Sequence, residues 1–233
     1  MENFFKRLKY YGIGFGIGLI FVTFAFKNRG CAWYPENRVK NIIFQRILVV
    51  SDTELPKMKK LGLTKKTLFT AINEGDIDFG ASKKAAHFKV YHMESETQKG
   101  KKFTCNITLN EDSFISEVQF GNKSAFKIKN TDTGYGNFMY FPKHKDFVYL
   151  DSTETLSCQQ KEMKLTDENK LFKQIMHTGK IDFEKSKLMI QPKPEHWIQF
   201  KDKKNRIISA KAIWYKEKIE ISKFDFEFKS KCK

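Results

Sequence analysis

The tightest grouping of side chains able to move a proton is His87, Lys89 and His92, in the run "HFKVYHME". Such a group could supply a general acid or base together with a cation that stabilises developing negative charge. Its spacing argues against that use. On an extended chain residues 87, 89 and 91 share one face and 92 lies on the other, so the two histidines do not converge. A second candidate is the pairing of Asp78 with Ser82, which recurs as Asp182 with Ser186. Paired oxygens can hold a metal ion or a phosphate, but Asp and Ser beside a helix-to-strand turn more often cap backbone N–H groups. A metal would also need more carboxylates than this block supplies. Cys31, Cys105, Cys158 and Cys232 are spread along the chain with no C-x-x-C pair, and three pairings are open to them. The expectation is therefore no cofactor, no metal, and a binding role rather than an enzymatic one.

The elements that must position these residues are marked by an internal repeat. "LFTAINEGDIDFGASK" at Leu68 to Lys83 returns as "LFKQIMHTGKIDFEKSK" at Leu171 to Lys187, and "GDIDFGASK" and "GKIDFEKSK" agree at six of nine positions. The shared structural block is Gly75, Asp78, Phe79 and Ser82 in the first copy and Gly179, Asp182, Phe183 and Ser186 in the second. Leu68, Phe69 and Ile72, with Leu171, Phe172 and Ile175, form the apolar stripe of a short helix. Gly75 and Gly179 fall where a helix end favours positive φ. Alternating runs follow in each copy, "HFKVYHME", "KFTCNITLNE" and "FISEVQF", then "HWIQFKD", "RIISAKAIWYKE" and "IEISKFDFEF". They predict antiparallel strands, and His196 is the one counterpart to the first copy's histidines.

The N-terminal run "YYGIGFGIGLIFVTFAF", residues 10–26, has 17 uncharged residues. As a helix it would be roughly 26 Å long, at the short end of what crosses a hydrocarbon core. Lys6, Arg7 and Lys9 precede it, Lys27 and Arg29 follow, and no small-x-small cleavage site is present. The run reads as an uncleaved signal anchor with the N-terminus inside. Gly12 and Gly16, like Gly14 and Gly18, have the small-xxx-small spacing that lets helices approach. The expected partners are the lipid bilayer and, through these glycines, a membrane protein or a second copy.

The fold class expected is α+β, with one transmembrane helix followed by two tandem units, each a short helix on an antiparallel β-sheet. The boundaries read as a basic N-terminus at 1–9, the transmembrane helix at 10–26 and a juxtamembrane neck at 27–63. A first unit with a β extension follows at 64–150, a linker at 151–165 and a second unit at 166–233. Within the neck, "SDTE" at Ser51 to Glu54 has capping-box spacing and predicts a helix through Lys60.

The 43 Lys and Arg against 27 Asp and Glu leave a net charge of +16. That charge suits an acidic partner or a solvated basic surface. Lysines scattered between apolar strand positions favour the second, and nucleic acid is the less favoured partner. The 40% hydrophobic content, with 23 Phe, argues against disorder.

A short basic start, one apolar helix, then "CAWYPENRVKNI" at Cys31 to Ile42 and later "GDIDFGASK" resemble small membrane-anchored proteins of Bacteroidota. These carry a domain of unknown function placed with the barnase and RelE-like toxin folds. The resemblance covers Met1 to Phe120, with Thr166 to Phe228 similar as a second copy. "AAHF" at Ala85 to Phe88 stands where the family pattern would bring a cysteine. The resemblance implies no assigned activity. It raises the alternative of a basic RNA-binding or ribonuclease-like domain on the cytoplasmic face, with His87, His92 and Lys89 as its residues. The favoured reading is a non-enzymatic accessory or interaction subunit of the cell envelope, held in the inner membrane with its body on the periplasmic side.

Overall fold

The computed structural model describes residues 2–27, 34–84, 88–110, 113–121, 134–142, 146–149, 153–188, 194–215 and 218–232. It divides into two compact units, Met1–Asn41 and Ile42–Lys233.

In the first unit α1 runs from Glu2–Lys27 and leaves Tyr10, Tyr11, Phe15 and Phe21 each more than two-thirds exposed. A Cβ added at Gly12, Gly14, Gly16 or Gly18 would meet nothing within 4 Å. Positions two apart on a helix differ by about 200°, so the two glycine pairs lie near opposite sides of α1. Among the described residues no helix is long and apolar enough to cross a membrane. This overturns the expected transmembrane helix and the single-pass, signal-anchor assignment built on it. The uncharged run has 17 residues, four of them glycine and two tyrosine, against the about 20 predominantly apolar residues that a span needs.

The second unit follows α2 (Pro35–Phe44), whose last residues it includes. Its elements are β1 (Ile47–Ser51), α3 (Leu55–Lys60), α4 (Lys65–Glu74), β2 (Asp76–Lys83), β3 (Phe88–Glu96), β4 (Lys102–Asn110), β5 (Ile115–Phe120) and β6 (Tyr135–Tyr140). After them come β7 (Asp146–Tyr149), α5 (Glu154–Met163), α6 (Glu168–Thr178), β8 (Lys180–Asp182), β9 (His196–Lys201), β10 (Ile207–Tyr215) and β11 (Lys218–Phe226). Among the described residues the eleven strands form one sheet, in the order β2-β3-β4-β5-β1-β6-β8-β9-β10-β11-β7.

The class is α+β, but the expected pair of separate helix-plus-antiparallel-sheet units is replaced by a single mixed sheet. Two strand pairs are parallel, β1 with β5 and β7 with β11. The joining element is β6, from the segment between the repeat copies, which pairs antiparallel with β1 on one side and with β8 on the other. Within the continuous sheet the order β2-β3-β4-β5-β1 recurs as β8-β9-β10-β11-β7. The sequence correspondence therefore begins further upstream than the matching glycine block suggests: "ILVVSDTE" from Ile47 has its counterpart in "FVYLDSTE" from Phe147.

Two helices accompany each half. Thr64 opens α4 with a capping box closed by Thr67, and Asp167 caps α6 through the Lys170 amide. The "SDTE" box does not form. Glu54 accepts instead from the Phe120 amide at 2.8 Å and from Lys57 at 2.7 Å, which ties α3 to the end of β5. The repeat-related Phe69 and Phe172 pack on adjacent residues at the end of β6, Tyr140 at 4.8 Å and Phe141 at 5.0 Å between ring centroids. A core of Ile47, Val49, Phe114, Phe138, Leu171, Ile175, Ile198, Phe200, Ala210 and Ile221 draws on both halves.

The C-terminal segment is fastened to α5. Cys158 and Cys232 form a disulfide across 74 residues of sequence. Beside it Glu162 accepts from the Ser230 hydroxyl at 2.7 Å. Arg206 ion-pairs with Asp202 at 2.7 Å and lies 4.0 Å from the Phe228 ring centroid. Cys105 is a buried free thiol, pushed by that burial up to about 12, and thus inert. Cys31 lies outside the described residues.

Candidate functional site

The repeated block folds into the same hydrogen-bonded corner twice. Asp78 Oδ1 accepts from the amides of Gly80 at 2.9 Å and Ala81 at 3.0 Å. Asp182 Oδ1 accepts from Glu184 at 3.1 Å and Lys185 at 3.0 Å. Ser82 Oγ then accepts from the His92 amide at 3.0 Å, and Ser186 Oγ from the Trp197 amide at 2.8 Å. Each Asp closes a turn and each Ser joins it to the next strand, so these oxygens are occupied by backbone donors. Among the described residues no three His, Cys, Asp or Glu side chains are placed to hold a metal ion.

Gly75 and Gly179 end their helices in extended conformation, at φ −72° and −69°. The positive φ expected for them is not adopted. What demands glycine is close approach: a Cβ at Gly75 would lie 2.7 Å from Glu94 O, and one at Gly179 would press on Ile175 O and sit 2.7 Å from the Phe138 ring. The paired Phe79 and Phe183 differ. Phe183 is 2% exposed, with its ring over Gly136 of β6, whereas Phe79 is half-buried on β2, at the sheet edge.

Of the candidate trio, His87 lies outside the described residues. His92 is buried on β3, with Nδ1 2.7 Å from Asn106 Oδ1 on β4. Lys89 is half-buried three positions back on the same strand, hence on the other face. His92 and Lys89 therefore do not converge. The second-copy histidine makes an unforeseen contact instead. His196 Nε2 lies 2.9 Å from Ser113 Oγ and accepts from the Phe114 amide at 3.3 Å, with its ring 3.7 Å from that of Phe114. Burial pushes its pKa down to about 3, outweighing the backbone groups of Ala212 and Pro194 that favour the charged ring. Nδ1 has no hydrogen bond of good geometry. A Ser–His pair resembles an activated nucleophile, but this histidine is fully enclosed and a poor base, and the further groups that act on it are the backbone of Ala212 and Pro194, not a carboxylate.

Glu117 on β5 is a second buried titratable group absent from the sequence reading. Burial raises its pKa to about 8; a hydrogen bond from Gln119 opposes the rise and the charge of Glu54 adds to it. Neither Glu117 nor the Ser113–His196 pair has a motif: the burial of Glu117 is set by the sheet around it, and Ser113 and His196 come from distant segments.

The concave surface near the repeated block is a cleft of about 530 Å³ where α4 meets β2, β3 and β4. Glu74, Asp76, Glu94 and Glu96 line it with Lys102 and Gly75, so a net acidic cleft opens on a chain of net charge +16. Compared with known protein families, curated proteins and solved structures, the chain matches none of them.

Proposed function

We propose that this chain is a non-enzymatic interaction protein of an oxidising compartment such as the bacterial periplasm, working through its α+β body. One observation carries this reading: among the described residues, the Asp and Ser side chains of the repeated block and the two buried histidines are occupied in holding the fold. Asp78, Ser82, Asp182 and Ser186 satisfy backbone amides. His92 is bound to Asn106, and His196 to Ser113 and Phe114. The Cys158–Cys232 disulfide supports the compartment, because such bonds persist outside the reducing cytosol. The test is purification of the intact chain, followed by identification of what elutes with it at one-to-one stoichiometry. Recovery of the chain alone from its native host, together with turnover of a substrate lost on His92→Ala, would overturn the reading.

The net charge of +16 favours one second reading, a body that binds RNA through its basic surface. Retention on RNA that weakens steeply with added salt would support it, and equal retention on neutral and anionic supports would exclude it.

A further inference from the structure

We infer that the face of the second half of the sheet turned away from α5 and α6 binds an uncharged glycan chain, at a site centred on Ser209. The inference rests on the interaction reading and names the class of ligand. Along β9, Ile198 and Phe200 join the core with Leu156 of α5 and Leu171 of α6. Trp197 and Gln199 alternate with them onto the other face and are half-buried. Ser209 of β10 stands opposite Gln199 on one side and opposite Asp225 of β11 on the other, so the three share that face. Gln199 donates to the Tyr135 hydroxyl at 3.2 Å, which brings a second aromatic residue beside them.

Ser209 is the residue that asks for a ligand. It is 1% exposed and its Oγ has no hydrogen-bond partner, a costly state for a hydroxyl. The first half does not share it. The Ser82 and Ser186 contacts align His92 with Trp197, and the strand registers then align Thr104 with Ser209. Thr104 Oγ1 donates to Gly121 O at 2.9 Å. One copy thus buries a histidine and satisfies its hydroxyl, while the other presents a tryptophan and leaves its hydroxyl unpaired. Aromatic rings stack on the C–H faces of sugars, and amides, carboxylates and hydroxyls exchange hydrogen bonds with sugar hydroxyls. Trp197 and Tyr135 supply the rings, Gln199 and Asp225 the polar groups, and a sugar hydroxyl entering between them completes Ser209. Lys180 and Lys185 hold Nζ 5.8 Å from the Tyr135 and Trp197 ring centroids. Lys185 also pairs with Asp225 at 3.2 Å, both about half exposed; such a pair is weak and re-forms around a ligand. Asp225 and Glu227, the latter 3.4 Å from Gln199, repel a phosphate backbone, so the rings suit a neutral glycan better than a nucleic acid.

The experiment screens the full chain against an array of neutral oligosaccharides of glucose, mannose, galactose and N-acetylhexosamines, then titrates the strongest binder. Saturable one-to-one binding is expected, unchanged by added salt because no counterions are released. Trp197→Ala should weaken it by roughly tenfold or more, and Asp225→Asn, on an exposed side chain, by about threefold. Ser209→Ala gives a readout that a merely structural role would not. It should raise the melting temperature of the free chain, by removing an unpaired buried hydroxyl, while weakening the glycan by about threefold. Absence of saturable binding across the array would overturn the inference, as would full affinity in both Trp197→Ala and Ser209→Ala. A single-stranded oligonucleotide that displaces the sugar and itself fails to bind Trp197→Ala would overturn it in favour of nucleic acid. If a protein partner copurifies while no glycan binds, the glycan site is wrong and the interaction reading stands.

Discussion

Ser113 Oγ and His196 Nε2 lie 2.9 Å apart and join the segment before β5 to the first residue of β9. These strands stand four places apart in the sheet order. Flat neighbours at about 4.8 Å spacing would put those strands roughly 19 Å apart, so the contact is made by the segment leading into β5, whose Phe114 joins Ile47, Val49 and Ile198 in one core.

The His196 side of this contact makes the fold acid-sensitive. Its pKa falls from 6.5 in the unfolded chain to about 3 in the folded one. Above pH 6.5 both states are neutral and nothing is lost. As pH falls below 6.5 the unfolded state takes up a proton that the folded state refuses, and stability drops. The expected loss is about 3 kcal/mol between pH 6.5 and pH 4, read from urea unfolding. His196→Gln should remove one proton from that slope, and an unchanged slope would show that the ring is not held neutral.

Glu117 works in the opposite direction. Its folded pKa is raised from 4.5 to about 8, so its neutral form is accommodated below pH 4.5 and stability is lost as pH rises toward 8. Glu117→Gln keeps the shape without the ionisation. It should stabilise the fold at pH 8 by about 2 kcal/mol or more and change it little at pH 4. Equal effects at both values would contradict the assignment.

Breaking the covalent clip should cost more than any single surface contact. The Cys158–Cys232 bond closes a loop with a sequence separation of 74, for which unfolded-chain entropy gives about 4 kcal/mol. Cys232→Ser should lower the melting temperature, and adding a reductant should lower the wild type alone. The buried Cys105 should stay unreactive to maleimide in the folded chain and react on unfolding. Labelling of Cys105 in the native state would show that its burial is wrong.

Alanine at the two helix-ending glycines should be costly although neither adopts positive φ. Gly75→Ala meets Glu94 O and Gly179→Ala meets Ile175 O and Phe138, and overpacking of this kind costs about 1 to 3 kcal/mol. Gly14→Ala, whose Cβ meets nothing, should instead favour the helix by up to about 1 kcal/mol. Circular dichroism melts of the three variants separate these effects, and equal behaviour would refute the close-approach account.

Local elements were legible in the sequence because their causes are local. The stripe of Leu68 and Ile72 and that of Leu171 and Ile175 do bury one face of α4 and of α6. The alternating runs named in each copy are β3, β4 and β5, then β9, β10 and β11. Where local signals competed, the reading went astray. "SDTE" has capping-box spacing, but the Phe120 amide, 66 residues away, claims Glu54. Residues 151–165, read as a linker, contain α5, and residues 27–63, read as a neck, contribute β1 to the interior of the sheet.

The sequence by itself determined the repeated glycine, aspartate, phenylalanine and serine block, the helix-then-strand order within each copy, and the strong positive charge. All of these depend on residue type and on spacing along a few turns or strands. Only the tertiary structure decided that the copies merge through β6, that Cys158 rather than another thiol meets Cys232, and that His196 is spent on Ser113. Each of those pairings joins residues far apart in the chain. Their closeness comes from burying one shared apolar core, a property of the whole sheet that no local pattern carries.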